Sequence, residues 1–213
     1  MPSSKRVTTI ARSIGWLILL VLAVMMFLVA SRYLTLNPDL YFPEQKAVYI
    51  AHTVGLMSHI LGAMIATLIG PFLFLSKLRS RAIQLHRWFG RLYVMSVLVG
   101  GLGGIYLSFI AYGGLPTQSG FMTLGILWLF TAHRAYHHIR HHQIELHRQW
   151  MIRNYALTFA GVTLRLWQIV GYMIGLKFLV AYSIVAWLSW IPNLLVAEWM
   201  IRRNNSSTSS VVN

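Results

Sequence analysis

Long apolar runs separated by short polar stretches organise this chain. A helix that crosses a bilayer needs roughly 20 consecutive, mostly apolar residues. Six segments reach that length: 13–34, 47–75, 88–112, 117–138, 149–174 and 178–201. The pattern predicts an all-α fold, a six-helix integral membrane bundle. The first run follows Lys5, Arg6 and Arg12, as in a signal peptide. Its apolar stretch exceeds the ~7–15 residues of such a peptide, and no small-residue cleavage site follows. Residues 1–12 are therefore read as a cytoplasmic N-terminus, 13–34 as a retained anchor helix, 47–174 as a four-helix membrane core (helices 2–5), and 178–201 as a sixth helix. The Asn/Ser/Thr-rich stretch 204–213 lacks apolar residues enough for a core and is expected to be a disordered cytoplasmic tail.

The connecting segments are short. Asn37-Pro38-Asp39 and Phe42-Pro43 supply turns after the first run, and Gly113-Gly114-Leu115-Pro116 turns the chain between helices 3 and 4. Any site must then lie within the bundle or at its faces. Helix 3 carries Gly100-Gly101 and Gly103-Gly104. In lipid, small residues let helices approach closely. No strand precedes these glycines, so they form no nucleotide-binding fingerprint.

Two stretches echo each other. Leu85-His86-Arg87-Trp88, with Arg91 and Tyr93, is matched by Leu146-His147-Arg148-Gln149-Trp150, with Arg153 and Tyr155. The second copy has one extra residue, Gln149. The echo makes helices 2–3 and 4–5 read as a duplicated helical hairpin, related by an axis along the membrane normal. Arg, Trp and Tyr are also ordinary membrane-interface residues, so chance recurrence is the competing explanation.

Composition supports the membrane class. Of the 213 residues, 57% are hydrophobic and 10% charged, against about a quarter charged in soluble domains. The net charge of +14 does not signal nucleic acid, because the basic residues cluster between the apolar runs. Lys5, Arg6, Arg12, Lys77, Arg79, Arg81, Arg87, Arg91, Arg134, Arg140, Arg148, Arg153, Arg202 and Arg203 fall at one set of helix ends; Arg32, Lys46 and Lys177 fall at the other. Basic residues favour the cytoplasmic side. The chain is therefore expected in the cell inner membrane, multi-pass, with both termini cytoplasmic and the lipid bilayer as its surroundings. It has no cysteine, which excludes disulfides and thiolate sites.

Nine histidines accompany only four acidic residues. At about 1.5 Å of rise per residue, His59 lies some 18 Å along its helix, on the same face as His52. The same rise puts His133 about 24 Å along helix 4, and His86 and His147 at the cytoplasmic ends of helices 3 and 5. His86, His133 and His147 would gather in the inner leaflet from three helices. Neutral imidazoles from facing helices can ligate haem iron; they can equally hydrogen-bond between helices or sit among headgroups. His137, His138, His141 and His142 would stand in pairs one turn apart if helix 4 continued past Arg140. Such a spacing can chelate a divalent metal, or simply solvate a helix end. Arg165 lies about 24 Å into helix 5 and cannot readily lose its proton. It requires a partner, from Asp39 or Glu44 in the outer loop or from an anionic ligand, unless it snorkels to the surface. Gln168 is near it. No Ser/His/Asp set, paired carboxylates or His-Glu-x-x-His motif is present.

A longer pattern joins these features: His59; Gly70-Pro71-Phe72; Leu85 to Val94; Gly100 to Tyr106; Gly113-Gly114; Gly120-Phe121; and His147 to Leu157, continuing to Leu164-Arg165-Leu166. It resembles a family of bacterial multipass membrane proteins catalogued as domain of unknown function 2306, over roughly residues 47 to 190. The resemblance singles out His59, His86, His147 and Arg165 but implies no reaction. A weaker likeness is to cytochrome b561-type haem-binding bundles, which need two paired histidines near each face. Here the outer half offers only His52 and His59, both from helix 2.

The function expected from sequence is a haem b or redox-cofactor protein passing electrons from a quinol or another electron carrier. Its cofactor contacts would be His59, His86, His133, His147 and Arg165. The alternative is a non-enzymatic membrane protein, a small transporter or an assembly partner, without a bound cofactor.

Overall fold

The computed structural model describes the backbone of residues 3–209 and the side chains of residues 13–205. Lys5, Arg6 and Arg12, and the tail beyond Asn205, lie outside the described side chains. The described chain is all-α, with helix and turn but no strand. Helix α1 is Ser3–Ser31, followed by three 3-10 turns over residues 32–45. Then come α2 (Lys46–Ala51), α3 (Thr53–Leu73), α4 (Ser76–Arg81), α5 (Ile83–Ser108), α6 (Gly114–Arg140), α7 (Ile144–Thr158), α8 (Ala160–Met173), α9 (Phe178–Leu188) and α10 (Ile191–Ser209).

Four stretches are long and apolar enough to cross a membrane: Ser13–Thr35, Thr53–Leu73, Ile83–Ser108 and Phe178–Asn205. Helix α6, with 27 residues, is about 40 Å long and matches them in reach. Its Thr, Ser, Gln, His and Arg side chains dilute its apolarity. Residues 144–173 run nearly continuously through α7 and α8, with a slack turn at Phe159. Thr158 and Thr163 donate their hydroxyls to the carbonyls of Asn154 and Phe159. Such back-bonding competes with the helical ladder and bends helices. The break between α9 and α10 precedes Pro192, which has no N–H to continue the ladder.

Several boundaries differ from the apolar runs. The run at 47–75 is interrupted at His52 (φ −122°, ψ 37°), so a short α2 precedes α3. Helix α5 starts at Ile83, ahead of the apolar run, because amphipathic turns at a membrane surface remain helical. The last helix continues to Ser209, where a disordered tail was expected. Residues 210–213 lie outside the described residues.

Helices α3, α5, α6 and α7 contact one another in a closed ring. Their glycines explain the closest pair. A Cβ on Gly62 would stand 2.5 Å from the Gly100 nitrogen and the Ser96 carbonyl of α5. Backbone therefore meets backbone, and no larger residue fits. Helix α1 lies outside this ring against α3, with Trp16 Nε1 donating to the Pro71 carbonyl at 2.9 Å. Helices α9 and α10 cover α6, α7 and α8. One end of the bundle carries the 3-10 turns and the α5–α6 and α8–α9 connections; we call it the loop end. The other carries α4, the α6–α7 connection and most of the arginines; we call it the basic end.

Candidate functional site

The close α3–α5 contact fixes His59. Its Nδ1–H donates to the Gly100 carbonyl at 2.8 Å. A carbonyl only accepts, so Nδ1 carries the proton and Nε2 is left as the acceptor. The ring lies flat against Gly104, where a Cβ would fall 2.9 Å from Nδ1. His59 and Gly104 both line a partly open cavity of about 240 Å³ in the loop-end half of the bundle. Its walls are mostly apolar: Met26 and Phe27 from α1, Leu56, Ile60 and Met64 from α3, and Leu164 from α8.

Arg165 and Gln168 of α8 stand at the cavity's loop end. Arg165 Nη1 donates to Gln168 Oε1 at 2.7 Å, and its guanidinium carbon lies 5.2 Å from the centre of the Phe42 ring. Its Nε is buried with no hydrogen-bond partner. Arg32 approaches the same ring at 5.7 Å and Tyr33 at 5.1 Å, and its Nε is likewise buried and unpartnered. The residue before Pro43 is held extended (φ −62°, ψ 130°), as proline's ring requires of its neighbour, and this places Phe42. Tyr33, Tyr41 and Tyr49 form an aromatic cluster of one stacked and two edge-on pairs, with centroids 5.6 to 6.2 Å apart. The acids of the loop-end turns do not reach Arg165. Asp39 pairs with Lys46 at 2.8 Å, and that hydrogen bond holds its carboxyl below the usual range. Glu44 is exposed.

The cavity floor is a buried polar network. Tyr93 donates its hydroxyl to Asn154 Oδ1 at 2.7 Å and lies 2.7 Å from the Thr158 hydroxyl. Trp128 Nε1 donates to the Thr158 hydroxyl at 2.8 Å, while Asn154 Nδ2 donates to the Trp128 carbonyl and to the Thr131 hydroxyl. Every polar atom here has a partner on a neighbouring helix or turn, as burial in lipid demands. The network locks α5, α6 and α7 together.

The basic end holds the remaining histidines, and they do not converge as the depth argument expects. His86 of α5 and His147 of α7 are close enough for their charges to interact. His147 Nδ1–H donates to the Ala135 carbonyl at 2.8 Å, whereas His86 Nδ1 is buried without a partner. His133 is exposed on the opposite flank of α6, beside His137 at 6.4 Å between ring centres. Depth along a helix does not determine facing, and Thr131, Ala132, Ala135 and His138 are the buried positions of α6 there. The helix ends at Arg140, and His142 adopts a left-handed conformation (φ 58°), so His138 and His142 do not stack as a pair. His138 Nδ1 is engaged by Gln143 Oε1. His137 and His141 do pair, their ring centres 4.2 Å apart and tilted by 34°, with His141 Nδ1–H on the His137 carbonyl. Among the described residues, no three His, Asp or Glu side chains are placed to hold a metal ion.

A bis-histidine haem needs imidazoles from two helices facing one space. The cavity holds a single histidine, His59, and neither His86 nor His147 lines it. The donor set at the cavity therefore does not fit haem b. His52 is turned away by the break before α3 and meets the Tyr106 hydroxyl at 2.6 Å instead.

The echoed blocks do adopt matching local structure. Arg91 lies over Trp88 at 5.3 Å and Arg153 over Trp150 at 4.7 Å, while Tyr93 and Tyr155 are both buried. The arginines and tryptophans act as interface stacks. Arg153 also pairs with Glu198 of α10 through both carboxylate oxygens. Sequence reasoning missed Phe42 and Arg32, which read only as a turn residue and a flanking charge. The signal was the aromatic density of the loop, with Tyr33, Tyr41, Phe42 and Tyr49 in one short stretch.

No curated protein and no solved structure matches the chain. A family match covers residues 56–201, which include His59, Arg165 and Gln168 but not the turns that carry Arg32 and Phe42. Its extent, over most of the chain and nearly all of the helical ring, shows that the chain belongs to the predicted membrane protein family DUF2306.

Proposed function

We propose that this protein takes a small amphipathic molecule from the bilayer into its loop-end cavity, as a six-span protein of the cell inner membrane with both termini cytoplasmic. The observation that carries the proposal is the cavity itself. It is about 240 Å³ and mostly apolar along its walls, with Arg165, Gln168 and His59 among its few polar groups. Ligand sites characteristically combine apolar walls with a few convergent polar groups. Ionisable residues at membrane depth mark functional sites by default. A quinol, a fatty acid or a transported lipid-like solute all have this general shape.

Photoreactive ten-carbon probes test the binding. A diazirine-bearing alkyl chain, presented to the purified protein in detergent, is expected to label peptides of α3 and α8. Gly161 lines the cavity, and nothing lies within 4 Å of a Cβ built on it. Gly161→Phe therefore starts its side chain in open space beside the cavity and should abolish labelling, with thermal unfolding confirming that the protein stays folded. Labelling that is unaffected by this variant would sink the proposal.

A redox reading retains one foothold at the basic end. His147 presents a free Nε2, oriented by its Nδ1 bond to a carbonyl as metal-bound histidines are, and His86 lies nearby with an unpartnered nitrogen. A Soret band in protein expressed with ample haem, lost in His86→Ala and His147→Ala, would support it; colourless protein would eliminate it.

A further inference from the structure

We infer that the head group bound in this cavity is an anionic oxyacid, a carboxylate or a phosphate ester, held by Arg165 with Arg32 behind it. This rests on the cavity being a binding site, as proposed above.

The argument is one of charge balance. A guanidinium stays protonated in any protein environment. Arg32 and Arg165 are half-buried with their Nε atoms shielded from water, and charge withdrawn from water in proteins is characteristically paired. The chain has four acidic residues. Three are committed: Asp39 to Lys46, Glu145 to Arg148 and Glu198 to Arg153. Glu44 is exposed, and no described ion pair includes Arg32 or Arg165. Two guanidinium groups thus flank one ring, Phe42, with no carboxylate to neutralise them. Stacking on Phe42 offsets part of the desolvation but none of the net charge. Gln168 and Tyr33, their hydrogen-bond partners, are neutral. Both Nε atoms point at nothing that accepts a proton.

A guanidinium presents N–H groups in a fork that matches two oxygens of a carboxylate or phosphate. An anion at Arg165 would complete that fork. Its chain would run down the apolar walls towards Trp128 and Thr158, past His59. A neutral quinone would leave both charges uncompensated, so the arrangement favours an anion over a quinone.

Three photoreactive probes with the same ten-carbon chain separate the outcomes: the acid, the alkyl phosphate and the alcohol. The acid, the phosphate or both should label the α3 and α8 peptides about tenfold more strongly than the alcohol, as one charge-assisted hydrogen bond is worth. Which of the two anions prevails identifies the source as a fatty acid or a phosphorylated lipid. Arg165→Gln should reduce anion labelling to the alcohol's level and leave alcohol labelling unchanged. Arg165→Lys should keep part of the preference, and Arg32→Gln should weaken it less than Arg165→Gln. Thermal unfolding of each variant confirms that it is folded. Equal labelling by acid, phosphate and alcohol, or an anion preference that survives Arg165→Gln in folded protein, would overturn the inference while leaving the binding site intact. Labelling by none of the probes would remove the site and the inference together.

Discussion

Tyr155 donates its phenolic hydrogen to the Thr67 carbonyl at 3.0 Å, and Pro71 is the reason that carbonyl is free. In a regular helix the N–H of residue 71 would bond to the carbonyl of residue 67, and proline has none. Gly70 leaves the room: a Cβ there would fall 1.9 Å from the Tyr155 ring. Three residues of α3 thus prepare a socket for one side chain of α7.

The socket predicts a thermodynamic cycle. Tyr155→Phe strands the Thr67 carbonyl and should cost about 1–3 kcal/mol. In a Pro71→Ala background the new N–H can satisfy Thr67, so the same Tyr155→Phe change should cost less than about 1 kcal/mol. Thermal or denaturant unfolding in detergent measures both. Equal costs in the two backgrounds would show that the bond does not depend on Pro71.

Gly62 should tolerate no side chain. Gly62→Val would push α3 from α5 and should destabilise by about 1–3 kcal/mol or prevent assembly. Gly90→Ala is the matched control, because nothing lies within 4 Å of its Cβ. Yield of monodisperse protein and melting temperature compare them.

Asn154 is fully buried and bonds to α5 and α6 as well as within its own turn region. Asn154→Leu removes the acceptor of the Tyr93 hydroxyl proton and the amide donated to Trp128 and Thr131, and should cost about 1–3 kcal/mol. Simultaneous Tyr93→Phe removes one of those stranded groups and should recover part of the loss. A double variant no better than Asn154→Leu would argue against direct coupling.

The absence of native cysteine makes topology directly measurable. Glu44→Cys and Lys177→Cys at the loop end should react with a membrane-impermeant maleimide on intact cells stripped of their outer membrane. Ser80→Cys and His142→Cys at the basic end should react only after the bilayer is opened. All four positions are exposed. The reverse pattern would invert the orientation that the arginine distribution implies.

Four of the six expected spans, and the crowded glycines, were legible because lipid imposes a strong compositional rule on both. Helix ends were not, since an apolar run marks hydrocarbon rather than helix: α5 begins in polar sequence at Ile83, and nothing around His52 announces a break. Histidine depth was readable, but facing was not. The buried repeat Trp128, Thr131, Ala135 and His138 on α6 would have revealed it, and it excludes His133. Arg165 was conspicuous because a charge in an apolar run has few explanations. Its neighbour Phe42 was hidden, since contacts between residues so distant in sequence depend on how a loop folds back.

The turns that line the cavity's loop end lie before Leu56, where the family match begins. The chamber's ring walls and these turns are thus encoded by separate stretches of chain. The chamber is bound into the helical ring by Tyr93, Asn154 and the Gly62–Gly100 contact, so its shape can change only together with the fold. The turns, which carry Arg32 and Phe42, are free of that obligation. If the cavity binds as proposed, rewriting this one short loop would retune which molecules fit while leaving the scaffold standing.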